Sequence, residues 1–156
     1  MIQGLISENI KPVIGKAPVA DIFNGDPVSD YVNGGLYGKI QFLLTKGVGT
    51  TGTATLTVLC SATNAGSSTT AIAFKYRVST DGDSFGDVTA ATTSGFTTTA
   101  GSNQMYLIEV DAADLTEDKP FVALKMTETV DDPCVGAVSI LLANPRYAGN
   151  SMPSAL

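Results

Sequence analysis

The chain has 156 residues, with 9 Lys and Arg against 15 Asp and Glu, giving a formal charge of −6, and only 15% of its residues are charged. Its basic residues are scattered, which argues against the clustered phosphate neutralisation that nucleic-acid binding needs. There is no histidine, so the usual general base at neutral pH and the commonest metal ligand are both missing, and a Ser-His-Asp or Cys-His nucleophile is ruled out.

This length fits one domain able to bury well over half of the surface of its unfolded chain. No run approaches the roughly 20 apolar residues that span a bilayer, the longest being segments such as Ala137 to Ala143, so no integral membrane protein is expected. The opening MIQGLISENIKPVIGK has no basic region followed by an apolar stretch and a small-residue cleavage site. A cytoplasmic site of synthesis is therefore expected. Few charges combined with a positive mean hydropathy of +0.19 leave a surface poor in Lys and Glu for a lone monomer, which predicts that a partner covers part of it.

Along the chain, residues 1–35 read as an extended N-terminal arm. Pro12, Pro18 and Pro27 punctuate short apolar pieces, and Asn24-Gly25-Asp26-Pro27 and Asn33-Gly34-Gly35 are turn signals. Such an arm can wrap its own domain or lie on a neighbour. Residues 36–145 read as a β-sandwich domain with period-two patterning. In Thr53 to Cys60 the even positions are apolar and most odd ones are Thr, as a strand with one face in a core requires. Ile72, Phe74, Tyr76 and Val78 repeat the device, with Lys75 and Arg77 on the other face. Further strands are predicted over Lys39 to Thr45, Ser84 to Ala90, Gln104 to Val110, Phe121 to Glu128 and Val135 to Leu142, with short pieces near Val28 and Phe96.

Helical turns are expected only at Asp111 to Thr116 and near the N-terminus. Residues 146–156 form a C-terminal tail. The expected fold is all-β: a single-domain antiparallel β-sandwich or jelly-roll-like barrel with the extended arm. Cys60 and Cys134 each sit in an apolar strand-like run, and buried free thiols are expected rather than a bridge.

Three motifs invite chemistry. Gly47-Val48-Gly49-Thr50-Thr51-Gly52 matches G-x-G-x-x-G, but a Thr-rich strand follows where the dinucleotide fingerprint needs a helix, so the glycines read as a hairpin loop. Asp81-Gly82-Asp83-Ser84-Phe85-Gly86-Asp87 resembles the opening of a calcium loop. The fifth ligand position is Phe85, however, and the twelfth, where a bidentate Glu belongs, is Thr92, which excludes an EF-hand and leaves a polar turn between Val78 and Val88. Glu109, Glu117, Asp118, Glu128, Asp131 and Asp132 could pair as in a glycosidase, but the chain has no Trp and 7% aromatic residues, which is poor material for a sugar cleft. No enzyme, cofactor or metal site is expected.

The segments TAIAFKYRVSTDGDSFGDVT from Thr70, SGFTTTAGSNQMYLIEVDAADLTEDKPFVALKMTE from Ser94 and NPRYAG from Asn144 resemble the capsid decoration (cement) proteins of tailed bacteriophages. The similarity runs from about Tyr37 to Pro153 and carries no catalytic signature. The resemblance implies a virion structural protein, encoded beside the major capsid protein and made in the host cytoplasm. It implies a β-sandwich subunit that assembles, often as a trimer, on the outer surface of the head and stiffens contacts between capsomers.

The expected partners are therefore the phage major capsid protein and further copies of this chain, with neither nucleic acid nor membrane. The expected contact residues are Ile10, Pro12, Val13, Ile14, Ile22, Phe23 and Tyr31 in the arm, and Arg146 and Tyr147 in the tail. The alternatives are a carbohydrate- or cell-surface-binding β-sandwich, for which an exposed aromatic platform near Tyr76, Phe85, Tyr106 or Tyr147 would speak, and a phage tail or head-completion component.

Overall fold

The structure, a computed structural model, describes residues 5–146 and 152–156. After a single helical turn, α1 (Ile6–Asn9), the strands are β1 (Ile10–Val19), β2 (Val32–Asn33), β3 (Tyr37–Lys46), β4 (Thr53–Ser61), β5 (Thr70–Ile72) and β6 (Phe74–Ser79). They continue as β7 (Thr89–Ala91), β8 (Phe96–Thr97), β9 (Gln104–Asp111), β10 (Phe121–Val130) and β11 (Gly136–Pro145). Short 3-10 turns occupy Gly34–Leu36 and Ala112–Asp114. Side-chain carboxamide and carboxylate oxygens of Asn33 and Asp111 start those turns by accepting from the N–H groups of Gly35 and Ala113, each at 3.1 Å.

The strands form two antiparallel sheets. One has six strands in the order β1-β11-β3-β9-β6-β7; the other runs β2-β10-β4-β5, with β8 also paired to β4. The sheets remain separate and do not close into a barrel, so of the two expected all-β forms the sandwich is the one adopted. Alternation explains the core. Ile40, Phe42 and Leu44 of β3, Tyr106, Ile108 and Val110 of β9, and Val138, Ile140 and Leu142 of β11 are buried from one sheet. Leu56, Val58 and Cys60 of β4 and Val122, Leu124 and Met126 of β10 meet them from the other.

The arm wraps its own domain. Ile10–Val19 is the edge strand of the larger sheet, paired from Ile10↔Ala143 to Val19↔Gly136, with a bulge between Ile14 and Lys16. Beyond it, Ser29 N–H donates to the Leu124 carbonyl and Met126 N–H to the Pro27 carbonyl, so residues 27–29 run along β10, where Val28 makes an isolated bridge to Lys125. The end of the tail is also tied down: Ala155 is buried and its carbonyl accepts from Asn33 N–H. Pro153 O accepts from Tyr37 Oη at 2.7 Å and Lys11 Nζ at 2.8 Å.

Three local expectations change, one of them the strand expected over Ser84 to Ala90, which is confined to Thr89–Ala91. The loop Gly47–Gly52 is not a hairpin: β3 and β4 lie in different sheets, so it arches across the end of the sandwich. The strand expected from Ile72 to Val78 is divided at Ala73, where the chain passes from the smaller sheet (β5) to the larger (β6). Cys60 and Cys134 are buried free thiols.

Candidate partner-binding surface

The larger sheet has an outward face whose composition is unusual. Strand register places Ile14, Ser139, Leu43, Leu107 and Arg77 in one row across β1, β11, β3, β9 and β6. The next row is Pro12, Leu141, Gln41, Glu109 and Lys75, and beyond it lie Ile10, Ala143, Lys39 and Asp111. Ile14 is 68% exposed, while Leu43, Leu107 and Leu141 are half-buried although, among the described residues, no strand packs over that face. A sheet that faced water here would carry Thr or charged residues at these positions. The outward face of the smaller sheet does so over most of its length, with Thr55, Thr57, Lys125, Thr127 and Thr129, and turns apolar only at the end where Leu59, Phe121 and Ala123 lie. The outward face of the larger sheet is thus the more apolar of the two.

Two of the acidic groups on this face have side-chain partners, while Lys75 and Arg77 stand at its β6 edge, with Arg77 donating to the Gly86 carbonyl at 3.3 Å. Lys39 Nζ and Asp111 Oδ2 form an ion pair, and each holds the other charged: the Asp111 contact raises the Lys39 pKa, and the Lys39 contact lowers that of Asp111. Gln41 Nε2 donates to Glu109 Oε1 at 2.8 Å. Around these rows the surface sinks into an open depression of about 1030 Å³, lined by Ile10, Gln41, Ile72, Phe74, Glu109 and Leu141 among others. A carboxyl used as a general acid is kept neutral by its surroundings. Asp111, on this rim, is held ionised instead.

No family model, curated protein or solved structure matches this chain significantly.

Of the contact residues expected from sequence, Ile10, Pro12 and Ile14 lie together on the apolar face, whereas Val13 pairs with Ile140 and packs against the core. Ile22 and Phe23 are fully buried at 0% exposure and so present no surface to a partner. They anchor the arm, with Ile22 N–H donating to the Cys134 carbonyl at 2.8 Å. Tyr31 is half-buried, its ring lying over Gly66, and burial raises its phenol pKa. Arg146 is exposed just past β11, remote in register from the Ile14 row, and Tyr147 lies outside the described residues.

Leu43, Leu107 and Leu141 were not singled out from the sequence, yet they left a signal. Leu43-Leu44, Leu107-Ile108 and Leu141-Leu142 are consecutive apolar pairs that break period two, and such strands are apolar on both faces. An aromatic platform of the kind a glycan site uses is not formed by Tyr76 or Tyr106. Tyr106 is buried, and Tyr76 stacks on Phe96 at 3.7 Å between ring centroids inside an aromatic cluster with Phe74.

Proposed function

We propose that this chain is a non-enzymatic structural protein of a tailed bacteriophage, binding the outer surface of the head and reinforcing contacts between copies of the major capsid protein. The observation that carries the reading is the apolar outward face of the larger sheet, with Ile14, Leu43, Leu107 and Leu141 set together by strand register. Resemblance of the segments from Thr70, Ser94 and Asn144 to decoration proteins supplies the partner. A ligand that binds the assembled shell but not its dispersed subunits stabilises the shell. Fully burying a Leu or Ile side chain contributes about 1.5–3 kcal/mol, so a few half-exposed ones give a modest subunit affinity that repetition over a symmetric lattice amplifies. The protein acts as a homo-oligomer in this proposal, a trimer on a capsid symmetry axis.

The test is co-sedimentation with undecorated heads. Wild-type protein is expected to bind saturably, at a copy number matching a set of capsid symmetry sites, and to raise the temperature at which heads rupture. Leu43→Lys with Leu107→Lys is expected to abolish binding while leaving the circular dichroism spectrum intact, because both side chains point away from the core. Absence of wild-type binding, or undiminished binding by the double variant, refutes the assignment of this face.

A further inference from the structure

The chain contains two Asn-Gly steps, Asn24-Gly25 and Asn33-Gly34, and the fold treats them oppositely. Asn33 belongs to β2, where it pairs with Phe121, and its N–H donates to the Ala155 carbonyl at 2.8 Å. The Asn33 side-chain oxygen accepts from Gly35 N–H at 3.1 Å, and the N–H of buried Gly34 donates to the Pro120 carbonyl at 2.9 Å. The side-chain carbonyl and the amide nitrogen that follows it are thus both engaged. Asn24 and Gly25 instead form the tip of a turn, closed by Asp26 N–H donating to the Phe23 carbonyl at 3.2 Å. Both residues are exposed, and among the described residues neither the Asn24 side chain nor the Gly25 N–H has a hydrogen-bond partner. Gly25 has a φ of +77 and nothing within 4 Å of its would-be Cβ, so no packing keeps its nitrogen from Asn24 Cγ.

An asparagine followed by glycine can close on the next amide, because glycine has no side chain to hinder the approach. We propose that Asn24 is a site of spontaneous deamidation in the folded protein, from which Asn33 is protected. Hydroxide removes the proton of Gly25 N–H, and the nitrogen forms a bond to Asn24 Cγ. The Cγ–Nδ2 bond breaks and ammonia leaves, giving a cyclic imide. Water then opens the ring at either carbonyl to give aspartate or isoaspartate, so water is consumed and ammonia released with no change of oxidation state. The product sets a new carboxylate on the turn that ends in Asp26, whose Oδ1 accepts from Glu128 N–H at 2.8 Å. Carboxylate oxygens of Asp21, Glu128 and Asp131 already lie within 4.8 Å of one another, so the modification adds like charge to a crowded place. Isoaspartate also inserts a methylene into the main chain between fully buried Phe23 and Asp26, that is, between two anchors of the arm.

The test incubates full-length folded protein, and a sample unfolded in guanidinium chloride, in the same mildly alkaline buffer. Both asparagines are followed by peptide mass spectrometry, with isoaspartate distinguished by electron-transfer fragmentation. In the folded protein Asn24 is expected to convert to the acid, with isoaspartate among the products. Asn33 is expected to convert at least about a hundredfold more slowly, because a locked segment reacts only in the small fraction of time that it is open. In guanidinium the two are expected to convert at similar rates. Asn24→Gln and Gly25→Ala are each expected to remain folded, to lose most of the conversion at residue 24, and to lose with it the acidic species seen on isoelectric focusing. An Asn24 that stays intact in the folded protein over a period in which the unfolded chain converts overturns the proposal, as does an Asn33 that converts as fast as Asn24 without denaturant.

Discussion

Lys46 continues the inward-facing positions of β3, following Phe42 and Leu44, and is 1% exposed. Its ammonium donates to the Gly52 carbonyl at 3.1 Å and the Thr99 carbonyl at 2.8 Å, and lies 5.8 Å from the centre of the Phe23 ring. It therefore ties the β3–β4 arch, the loop before β9 and the anchored arm to one point. Burial lowers its pKa from the ordinary 10.5, with Cys134 acting the other way. The folded chain then releases this proton at a lower pH than the unfolded chain. Between the folded pKa and 10.5 the unfolded state binds more protons, so this group makes stability rise with pH in that alkaline window. Lys46→Met removes the buried charge but leaves two carbonyls without their donor, and is expected to cost about 1–3 kcal/mol. Lys46→Ala adds a cavity and is expected to cost about 3–5 kcal/mol. Urea unfolding at neutral pH and again near pH 10 checks both magnitudes and the sign, since the alkaline gain must vanish in either variant. If Lys46→Met matches wild type at neutral pH, the two carbonyl contacts do no more than offset the cost of burying the charge.

Turns set where these strands begin and end, and two glycines separate the reasons. Gly95 precedes β8 at φ +74, and a Cβ there would lie 1.9 Å from the Leu56 carbonyl oxygen of β4. Gly25 has a similar φ of +77 but nothing within 4 Å of its would-be Cβ. Gly25→Ala is expected to cost about 1 kcal/mol, the left-handed penalty alone. Gly95→Ala is expected to cost about 3 kcal/mol or more, because backbone must move and the β4–β8 pairing with it. Equal midpoints for the two variants in denaturant would show that the close approach to Leu56 is easily relaxed. The same turn chemistry decided how legible the elements were. Period two located β3, β4, β9, β10 and β11 closely, since each buries alternate residues. It overextended β7, because Asp81 caps the preceding turn: Oδ1 accepts from Ser79 Oγ at 2.9 Å, Asp83 N–H at 3.1 Å and Ser84 N–H at 3.0 Å, leaving only Thr89–Ala91 in the ladder. These hydrogen bonds lower the Asp81 pKa to about 2, as fits a carboxylate committed to a turn. Strand β1 was hidden by Pro12 and Pro18, which an edge strand tolerates and an interior strand does not. Carboxylate convergence at Asp21, Glu128 and Asp131 was illegible, because the linker after β1 meets the end of β10 only through tertiary packing.

Across the whole molecule the two outer faces differ, and the difference makes the proposed mode of attachment testable apart from the identity of the site. With a formal charge of −6 the chain could dock by charge, in which case binding to heads would weaken steeply as salt screens the attraction over roughly 8–10 Å. The larger sheet offers the opposite means. Ile14, Leu43, Leu107 and Leu141 lie together on it, Lys39 and Asp111 neutralise each other, Gln41 occupies Glu109, and the remaining charges, Lys75 and Arg77, stand at the β6 edge. Attachment through that face is dominated by removal of apolar area from water, which simple salt leaves nearly unchanged and sulfate strengthens. The number of copies bound per head is therefore expected to stay constant between about 0.05 M and 0.5 M sodium chloride, where the screening length falls from roughly 14 to 4 Å. It is expected to be reached at lower protein concentration when sulfate replaces chloride. A tenfold or greater loss of affinity over that chloride range, measured by the same sedimentation, would show that attachment is governed by charge and overturn the apolar mode.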